Sequence, residues 1–391
     1  MNAPVQDPAR FRVGIARTTE ELEAVARLRY RVWVEETGNR QSAALNHSTK
    51  TMADDIDRVA TILYLASGSD VVATVRIVRA DVGAKTKYAH FYALDGMPEV
   101  RPDDVSFTSN LSIVPEWRGT PALGRLLDAA YEGLRRQGVW LDFIHCRPAL
   151  VGLYEVIGYR RFGRDVLDTE LGLRVPMALV LDDVEYLTKV HSPFARLSTQ
   201  FSNDPEHGAW FAGRFAEYSE PSCAHVMGVD EFWTYITQRI HIDDHPLLRG
   251  LSEAEVKAVV SAGTVVRVPA GGVAVRRGDP SNDMYLVLSG VLEVRATTKA
   301  GGAPHVIETL GAGQVFGEMS FLSNQPRTAD VAAVADAEIL MLTRDLFERL
   351  ARTAPAAANR LLLNLSVYLV ERLQSTTRAL AAAKEQLAAE R

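Results

Sequence analysis

Short valine-rich runs punctuated by glycine turns constrain the last third of this chain more than any other feature. Residues 265–268, 273–275, 284–288 and 291–294 are such runs, and Gly278-Asp279-Pro280 and Ser289-Gly290 stand between them as turns. The pattern is that of strands in an antiparallel roll. Just ahead, Ser252 precedes Glu255 by three residues, the spacing of an N-cap and its capping-box partner. Residues 245–256 are therefore read as short helices leading into the roll.

Behind the strands comes Phe316-Gly317-Glu318-Met319-Ser320-Phe321-Leu322, followed by Pro326-Arg327-Thr328-Ala329. One carboxylate and one guanidinium stand nine residues apart around a short apolar turn. A planar, bidentate cation suits a phosphate, a carboxylate suits a ribose hydroxyl, and N–H groups opening a short helix add an anion cradle. A cyclic nucleotide asks for all three. A buried Glu–Arg pair bracing the turn would use the same residues without a ligand. The stretch resembles the phosphate-binding cassette of cyclic-nucleotide-binding domains in kinase regulatory subunits, nucleotide-gated channels and CRP-type bacterial regulators. Residues 277–290, a glycine, an aromatic strand and a second glycine, resemble the other signature of that family. The resemblance implies that Glu318 takes the ribose 2′-OH and Arg327 the phosphate, with Gly317, Met319 and Ser320 completing the cradle. Thr328 would meet the base. A hydroxyl there occurs with cAMP and with cGMP, so both stay open as effectors.

A chain of 391 residues has room for about two or three domains. A net charge of −6 offers little to nucleic acid, whose binding feeds on basic patches. Only Cys146 and Cys223 occur, which excludes a disulfide framework and a thiolate zinc site, and no metal is expected. No run approaches the roughly eighteen apolar residues of a membrane span, and the first seven residues lack signal-peptide character. A cytoplasmic location is the expectation.

Residues 10–190 alternate strand and helix signals. A helix is expected from Thr19 to Trp33, with Thr19 as N-cap; strands at 60–66 and 71–78 form a hairpin around Gly68-Ser69-Asp70, and 107–114 is a further strand. That strand breaks into Pro115-Glu116-Trp117-Arg118-Gly119-Thr120-Pro121 and then an amphipathic helix with Leu123, Leu126, Leu127, Ala130 and Leu134 inward. Such a turn aims N–H groups at one place, which suits a pyrophosphate. It is also ordinary punctuation before a helix.

Residues 110–119, with Gly124-Arg125-Leu126-Leu127, resemble the acyl-donor motif of the GNAT acyltransferases, and Leu153-Tyr154-Glu155-Val156-Ile157-Gly158-Tyr159 resembles their later tyrosine motif. The resemblance implies a splayed strand at Ile113 and Val114 gripping a pantetheine arm and polarising a thioester carbonyl. It places Arg118, Gly119, Gly124 and Arg125 around the pyrophosphate of an acyl-CoA, and makes Tyr154 the acid that protonates the leaving thiolate. Tyr154 as core packing remains the alternative. The family's middle glycine is replaced here by Thr120-Pro121-Ala122, and Pro121 has no N–H to give. Either the loop grips its donor differently, or pantetheine arrives on an acyl carrier protein.

Residues 28–36, Asp54-x-x-Asp57 and Val75-Arg76-Ile77-Val78 resemble N-acyl amino acid synthases and acyl-homoserine-lactone autoinducer synthases. By that resemblance Arg29, Trp33, Asp54, Asp57 and Arg76 shape the pocket of a small amine acceptor, the carboxylates recruiting its ammonium group. A surface ion-pair set is the alternative. Phe107 and Asn110 stand where the autoinducer synthases carry Glu and Arg, which argues against homoserine-lactone synthesis.

From Pro355 the pattern is one long helix. Leu362, Leu369, Thr376 and Ala383, with Ser366, Leu373, Leu380 and Leu387, give the alternating spacing of a two-stranded seam. A homodimer through this helix is expected; packing back on its own domain is the alternative. A winged DNA-binding module needs more than the 36 residues after Pro355. The fold expectation is α+β: a GNAT-like mixed sheet flanked by helices over 10–195, an aromatic-rich, partly helical connector over 196–240, an antiparallel β-roll over 241–355 and a terminal helix over 356–391. The functional expectation is an N-acyltransferase moving an acyl group from a thioester to an amine under cyclic-nucleotide control. The alternative is a nucleotide-responsive regulatory protein whose acyltransferase fold is not catalytic.

Overall fold

A computed structural model describes residues 11–36, 42–83, 92, 94–163, 165–168, 172–218, 222–240, 242, 245–279, 281–296 and 305–389. The leader reading (residues 1–7), Pro280 of the proposed turn, and the seam side chains of Ala383 and Leu387 lie outside what it describes. The chain divides into two compact units, Met1–Pro221 and Ser222–Arg391.

The first unit is built on an eight-stranded sheet. Its strands are β1 (Phe11–Ile15), β2 (Thr61–Ser67), β3 (Asp70–Arg79), β4 (Val105–Ile113), β5 (Leu141–Cys146), β6 (Arg160–Arg161), β7 (Val166–Asp168) and β8 (Gly172–Val180). They lie in the order β1-β2-β3-β4-β5-β8-β6, with β7 beside β8; only β4 and β5 run parallel. The expected hairpin is β2–β3, closed at Gly68, whose φ of 64° requires a left-handed turn residue. Helix α1 (Thr19–Tyr30) starts one residue earlier than expected, because Thr18 and Glu21 form the capping box. It ends at Tyr30 and runs on as a widened π-helical turn, Arg31–Glu36, which carries Trp33. Helix α2 (Pro121–Arg136) buries Ala122, Leu126, Ala130, Tyr131 and Leu134 on the sheet; Leu123 is only half-buried, so its face is rotated from the expected one.

The opposite face of this sheet is covered by aromatics. Helix α3 (Val151–Ile157) packs on the α2 side, whereas α4 (Pro205–Arg214) brings Phe211 and Phe215 against Phe107, Phe143 and Trp140. The stretch read as a connector is thus shared out: Trp210, Phe211 and Phe215 belong to the first unit's core, and Phe232, Trp233 and Tyr235 to the second's.

The second unit holds two four-stranded antiparallel sheets, the expected roll. Its strands are β9 (Thr264–Val268), β10 (Val273–Val275), β11 (Met284–Ser289), β12 (Leu292–Ala296), β13 (His305–Leu310), β14 (Val315–Phe316), β15 (Asp330–Ala333) and β16 (Ala337–Leu342). The sheet orders are β9-β16-β11-β14 and β10-β15-β12-β13. Helices α5 (Val229–Thr237) and α6 (Glu253–Ser261) pack on the first sheet, α6 opened by the Ser252–Glu255 capping box. A short helix α7 (Glu318–Ser323) follows β14, then α8 (Arg344–Thr353) and the terminal α9 (Pro355–Ala389). The first turns of α9 bury Ala357, Ala358, Leu361 and Leu365 in the core.

Of the expected seam residues, Ser366, Leu373, Thr376 and Leu380 are exposed, whereas Leu362 and Leu369 are half-buried in their own unit; Leu363, Val370 and Thr377 are exposed beside them. Among the described residues no helix is long and apolar enough to cross a membrane.

Candidate functional site

In the second unit, Gly317 joins β14 to α7 with a φ of 80°. A Cβ there would stand 2.6 Å from Arg327 Nη1 and 2.7 Å from the Asp283 carbonyl oxygen, so only glycine fits. Arg327 is 4% exposed. Its Nε donates to Ser281 Oγ at 3.1 Å and its Nη1 to the Gly317 carbonyl at 3.1 Å. Its guanidinium carbon lies 5.5 Å from the centre of the Tyr285 ring. The Arg327 N–H donates to the Asp279 carbonyl, and the Gly278 N–H to the Arg327 carbonyl, each within 2.9 Å. The two sequence signatures are thereby bound to each other around one buried cation. Among the described residues Nη2 of that cation is buried with no hydrogen-bond partner, which leaves a strong donor waiting for an acceptor.

Glu318 is 5% exposed and its Oε1 accepts from Arg372 Nη1 at 2.9 Å. Burial raises its carboxyl pKa, and Arg372 opposes that rise. Arg372 also binds Glu308 and reaches the Val315 carbonyl at 3.4 Å. Among the described residues Glu318 forms its ion pair with Arg372, and Arg327 acts on its carboxyl only through its charge. Met319 is exposed, Ser320 is buried, and both lie in the first turn of α7; Thr328 is exposed beside Arg327. Arg372 escaped the sequence reading because nothing local links it to a residue 54 positions earlier.

In the first unit the site is a gap in the sheet. The β4–β5 ladder has rungs at Val105–Leu141, Ser106–Asp142 and Phe107–Phe143, whereas β4 runs on to Ile113 and β5 to Cys146. Beyond Phe107 the strands part. Asn110, at a φ of 51°, sits where the register against β3 slips between Thr74 and Arg76. The Val114 N–H donates to the Val72 carbonyl at 3.1 Å. Antiparallel pairs alternate, so the backbone groups of Ile113, opposite Ala73, face the gap. Of the two expected N–H donors, Ile113 is positioned and Val114 is spent.

The loop after β4 differs from its expectation in the same sense. Arg118 donates to both oxygens of Glu36, at 2.5 and 2.7 Å, and to the Ile113 carbonyl at 3.0 and 3.2 Å. Gly119 takes a φ of 72°. Thr120 caps α2 by accepting from the Ala122 N–H at 3.3 Å, and Pro121 occupies the first helical position. Gly124 is half-buried, and the exposed Arg125 places its guanidinium carbon 5.8 Å from the centre of the Phe11 ring. The loop therefore gathers the expected residues, but its first arginine and one early N–H are engaged internally.

Tyr154 on α3 is buried, and burial pushes its phenol pKa up. Burial keeps that proton on the phenol at neutral pH, so Tyr154 carries a proton that it could give as charge develops on a leaving group. Its ring meets Tyr159 edge-on, centroids 5.4 Å apart. The expected acceptor residues form a buried network rather than a surface set. Arg29 Nη1 stands 2.9 Å from both oxygens of Asp57; Arg76 Nη1 binds Asp54 at 2.6 Å and Asp57 at 3.2 Å; Asp54 and Asp57 cap the same turn. These carboxylates are neutralised by arginines, so they do not offer an ammonium group an unpaired charge. Trp33 donates from Nε1 to Ser112 Oγ on β4 at 2.9 Å.

Residues 265–354 match the family model "Cyclic nucleotide-binding domain", and residues 28–128 match "Acetyltransferase (GNAT) domain". The chain thus pairs a GNAT region with a cyclic-nucleotide-binding region. It is 36% identical over 129 residues to a "Cyclic AMP receptor protein" of Thermus thermophilus, covering 33% of this chain and 57% of that protein. It is 27% identical over 155 residues to a "cAMP-dependent protein kinase regulatory subunit" of Aspergillus niger, covering 40% of this chain and 35% of that one. The structure of the Thermus thermophilus Catabolite Activator Protein aligns at 33% identity and a TM-score of 0.32, over 36% of this chain and 63% of that one. The chain spans less than two thirds of each of these proteins.

Proposed function

We propose that the second unit binds a cyclic nucleotide, cAMP or cGMP, and that occupancy controls transfer of an acyl group from a thioester to an amine at the first. The observation that carries the nucleotide half is the buried Arg327 with its unpartnered Nη2, beside a glycine that leaves room for no Cβ. An exocyclic phosphate supplies the missing acceptor. Glu318, bonded to Arg372 through Oε1, accepts the ribose 2′-OH on its second oxygen. Met319 and Ser320 lend N–H groups, and Thr328 lies toward the base.

For the transfer half, the support is the gap between β4 and β5 with Ile113 facing it and Tyr154 kept protonated. The free amine attacks the thioester carbonyl, which the Ile113 N–H polarises; the C–S bond breaks as Tyr154 protonates the departing sulfur, and the proton shed by the amine nitrogen passes to solvent, from which the phenolate regains one. The donor is an acyl-CoA or an acyl carrier protein; Arg118, Gly119, Gly124 and Arg125 face whichever arrives. The acceptor is a small amine, derived from an amino acid, near Trp33 and the Arg29–Asp57 and Arg76–Asp54 pairs. A nucleotide that favours one state of the enzyme tenfold contributes about 1.4 kcal/mol, so the response is graded. We further propose that two copies pair through the exposed row of α9.

Two observations favour the second reading, a regulatory protein with an idle acyltransferase fold: Arg118 is tied to Glu36, and Val114 to Val72. A mass-spectrometric assay of the whole chain separates the two. Long-chain acyl-CoA or acyl carrier protein, mixed amines, and either nucleotide give N-acyl product at a nucleotide-dependent rate in the first reading. No product with either donor supports the second.

A further inference from the structure

At the inner end of the β4–β5 gap lies a carboxyl that the proposed transfer does not use. Asp142 occupies the rung opposite Ser106, one before the strands part, and is 0% exposed. It accepts hydrogen bonds from the Ser106 hydroxyl, from Thr108 Oγ1 at 3.0 Å and from Tyr159 Oη at 2.6 Å. Those three hydroxyls are its polar partners among the described residues, and none is a cation.

A carboxyl in that setting is costly. Its charge is stripped of water and answered only by neutral donors, whereas an asparagine could keep much of the same bonding without a charge to bury. Burial, opposed by the three hydroxyls, pushes its pKa up to about 7. Costs of this kind collect where chemistry needs a titratable group.

Its neighbours define what it can reach. From β4 come Ser106 and Thr108, from β8 the apolar Leu179, and from the segment after α3 comes Tyr159. Cys146 shares its strand and its face of the sheet, and the charge of Asp142 makes Tyr154 hold its proton more tightly. Tyr159 is the link: its hydroxyl is fixed by Asp142 and its ring is set edge-on against Tyr154.

We propose that Asp142 is a positioning residue for the acyl transfer, holding Tyr159 and through it the Tyr154 phenol at the floor of the gap. The assignment rests on the transferase reading of the first unit. When Asp142 ionises, a negative charge appears beside the phenol and weakens it as an acid, so turnover carries the signature of this carboxyl.

The test is the pH dependence of kcat and KM for the full chain, Asp142→Asn, Tyr159→Phe and the double variant, read as thiol release from a long-chain acyl-CoA. Asp142→Asn, which keeps much of the bonding without the charge, is expected to hold kcat within about threefold of the wild-type low-pH plateau, with KM for the donor within twofold, and to abolish a descending limb near pH 7. Tyr159→Phe, which breaks the link, is expected to lower kcat at least tenfold, and the double variant to be no worse than Tyr159→Phe alone. Should Asp142→Asn fail to fold, Tyr159→Phe carries the test, because it removes the link and leaves the carboxyl in place. A wild-type limb near pH 7 that survives in the variants, or losses that multiply in the double variant, overturns the assignment alone. No turnover by the wild-type chain with that donor, or with an acyl carrier protein in its place, overturns the transferase reading and this assignment together.

Discussion

Arg372 of the terminal helix places Nη1 2.9 Å from Oε1 of Glu318, which ties α9 to the turn that Gly317 opens. The carboxylate that the ribose hydroxyl would meet is therefore already held by the last helix of the chain. Arg372→Ala strands Glu318 as a buried charge with one donor fewer, and is expected to lower stability of the free protein by roughly 1–3 kcal/mol. A bound nucleotide returns a donor to Glu318, so the rise in Tm on adding cAMP or cGMP should be larger in the variant than in the parent. Paired melting curves check this; an unchanged increment contradicts it.

The raised pKa of Asp142 makes a statement about stability as well as rate. A carboxyl that titrates near 7 when folded and near 3.8 when unfolded keeps its proton in the native state across that window. Native stability then falls as pH rises from about 4 to 7, by up to about 1.4 kcal/mol per pH unit, and levels off above 7. Asp142→Asn lacks this dependence. The difference in unfolding free energy between parent and variant, taken from urea melts at several pH values, should favour the parent most at pH 4 and flatten beyond pH 7.

Glu36 holds Arg118 by a two-pronged ion pair. Glu36→Gln releases much of that hold and frees the guanidinium for a pyrophosphate. The KM for acyl-CoA is expected to fall severalfold, while that for a carrier-protein donor changes less. Steady-state kinetics with the two donors decide it, and equal changes for both would argue against a role for Arg118 in holding the pyrophosphate.

The exposed row on α9 gives a prediction about assembly. Leu373 is 67% exposed and lies on the same face as Leu363, Val370 and Leu380. Leu373→Glu is expected to convert a dimer to a monomer in sedimentation velocity. Leu362→Glu, on a half-buried face, should instead lower Tm.

Much of this was legible in the residues themselves. The roll follows from its valine runs and turns, and Gly317 and Arg327 stand out because the strain and charge they manage are local. The β2–β3 hairpin and the capping box at Ser252 are likewise local in cause. What could not be read is long-range. Arg118 finds Glu36 across 82 positions, and Tyr159 finds Asp142 by the return of the chain into the sheet. The heptad spacing on α9 was visible, but which row faces out depends on Leu361 and Leu365 entering the core. The sequence sets Asp54 and Asp57 side by side, yet only the fold reveals that Arg29 and Arg76 pair with them.

The central claim is that Arg327, cradled by Gly317, waits for the phosphate of a cyclic nucleotide. Calorimetric titration of the full chain with cAMP and with cGMP tests it most directly, with Arg327→Ala and Gly317→Ala measured alongside. The account predicts saturable binding of at least one nucleotide by the parent, lost by at least about 100-fold in Arg327→Ala and sharply weakened in Gly317→Ala. No binding of either nucleotide at millimolar concentration, or equal binding by Arg327→Ala, would contradict it.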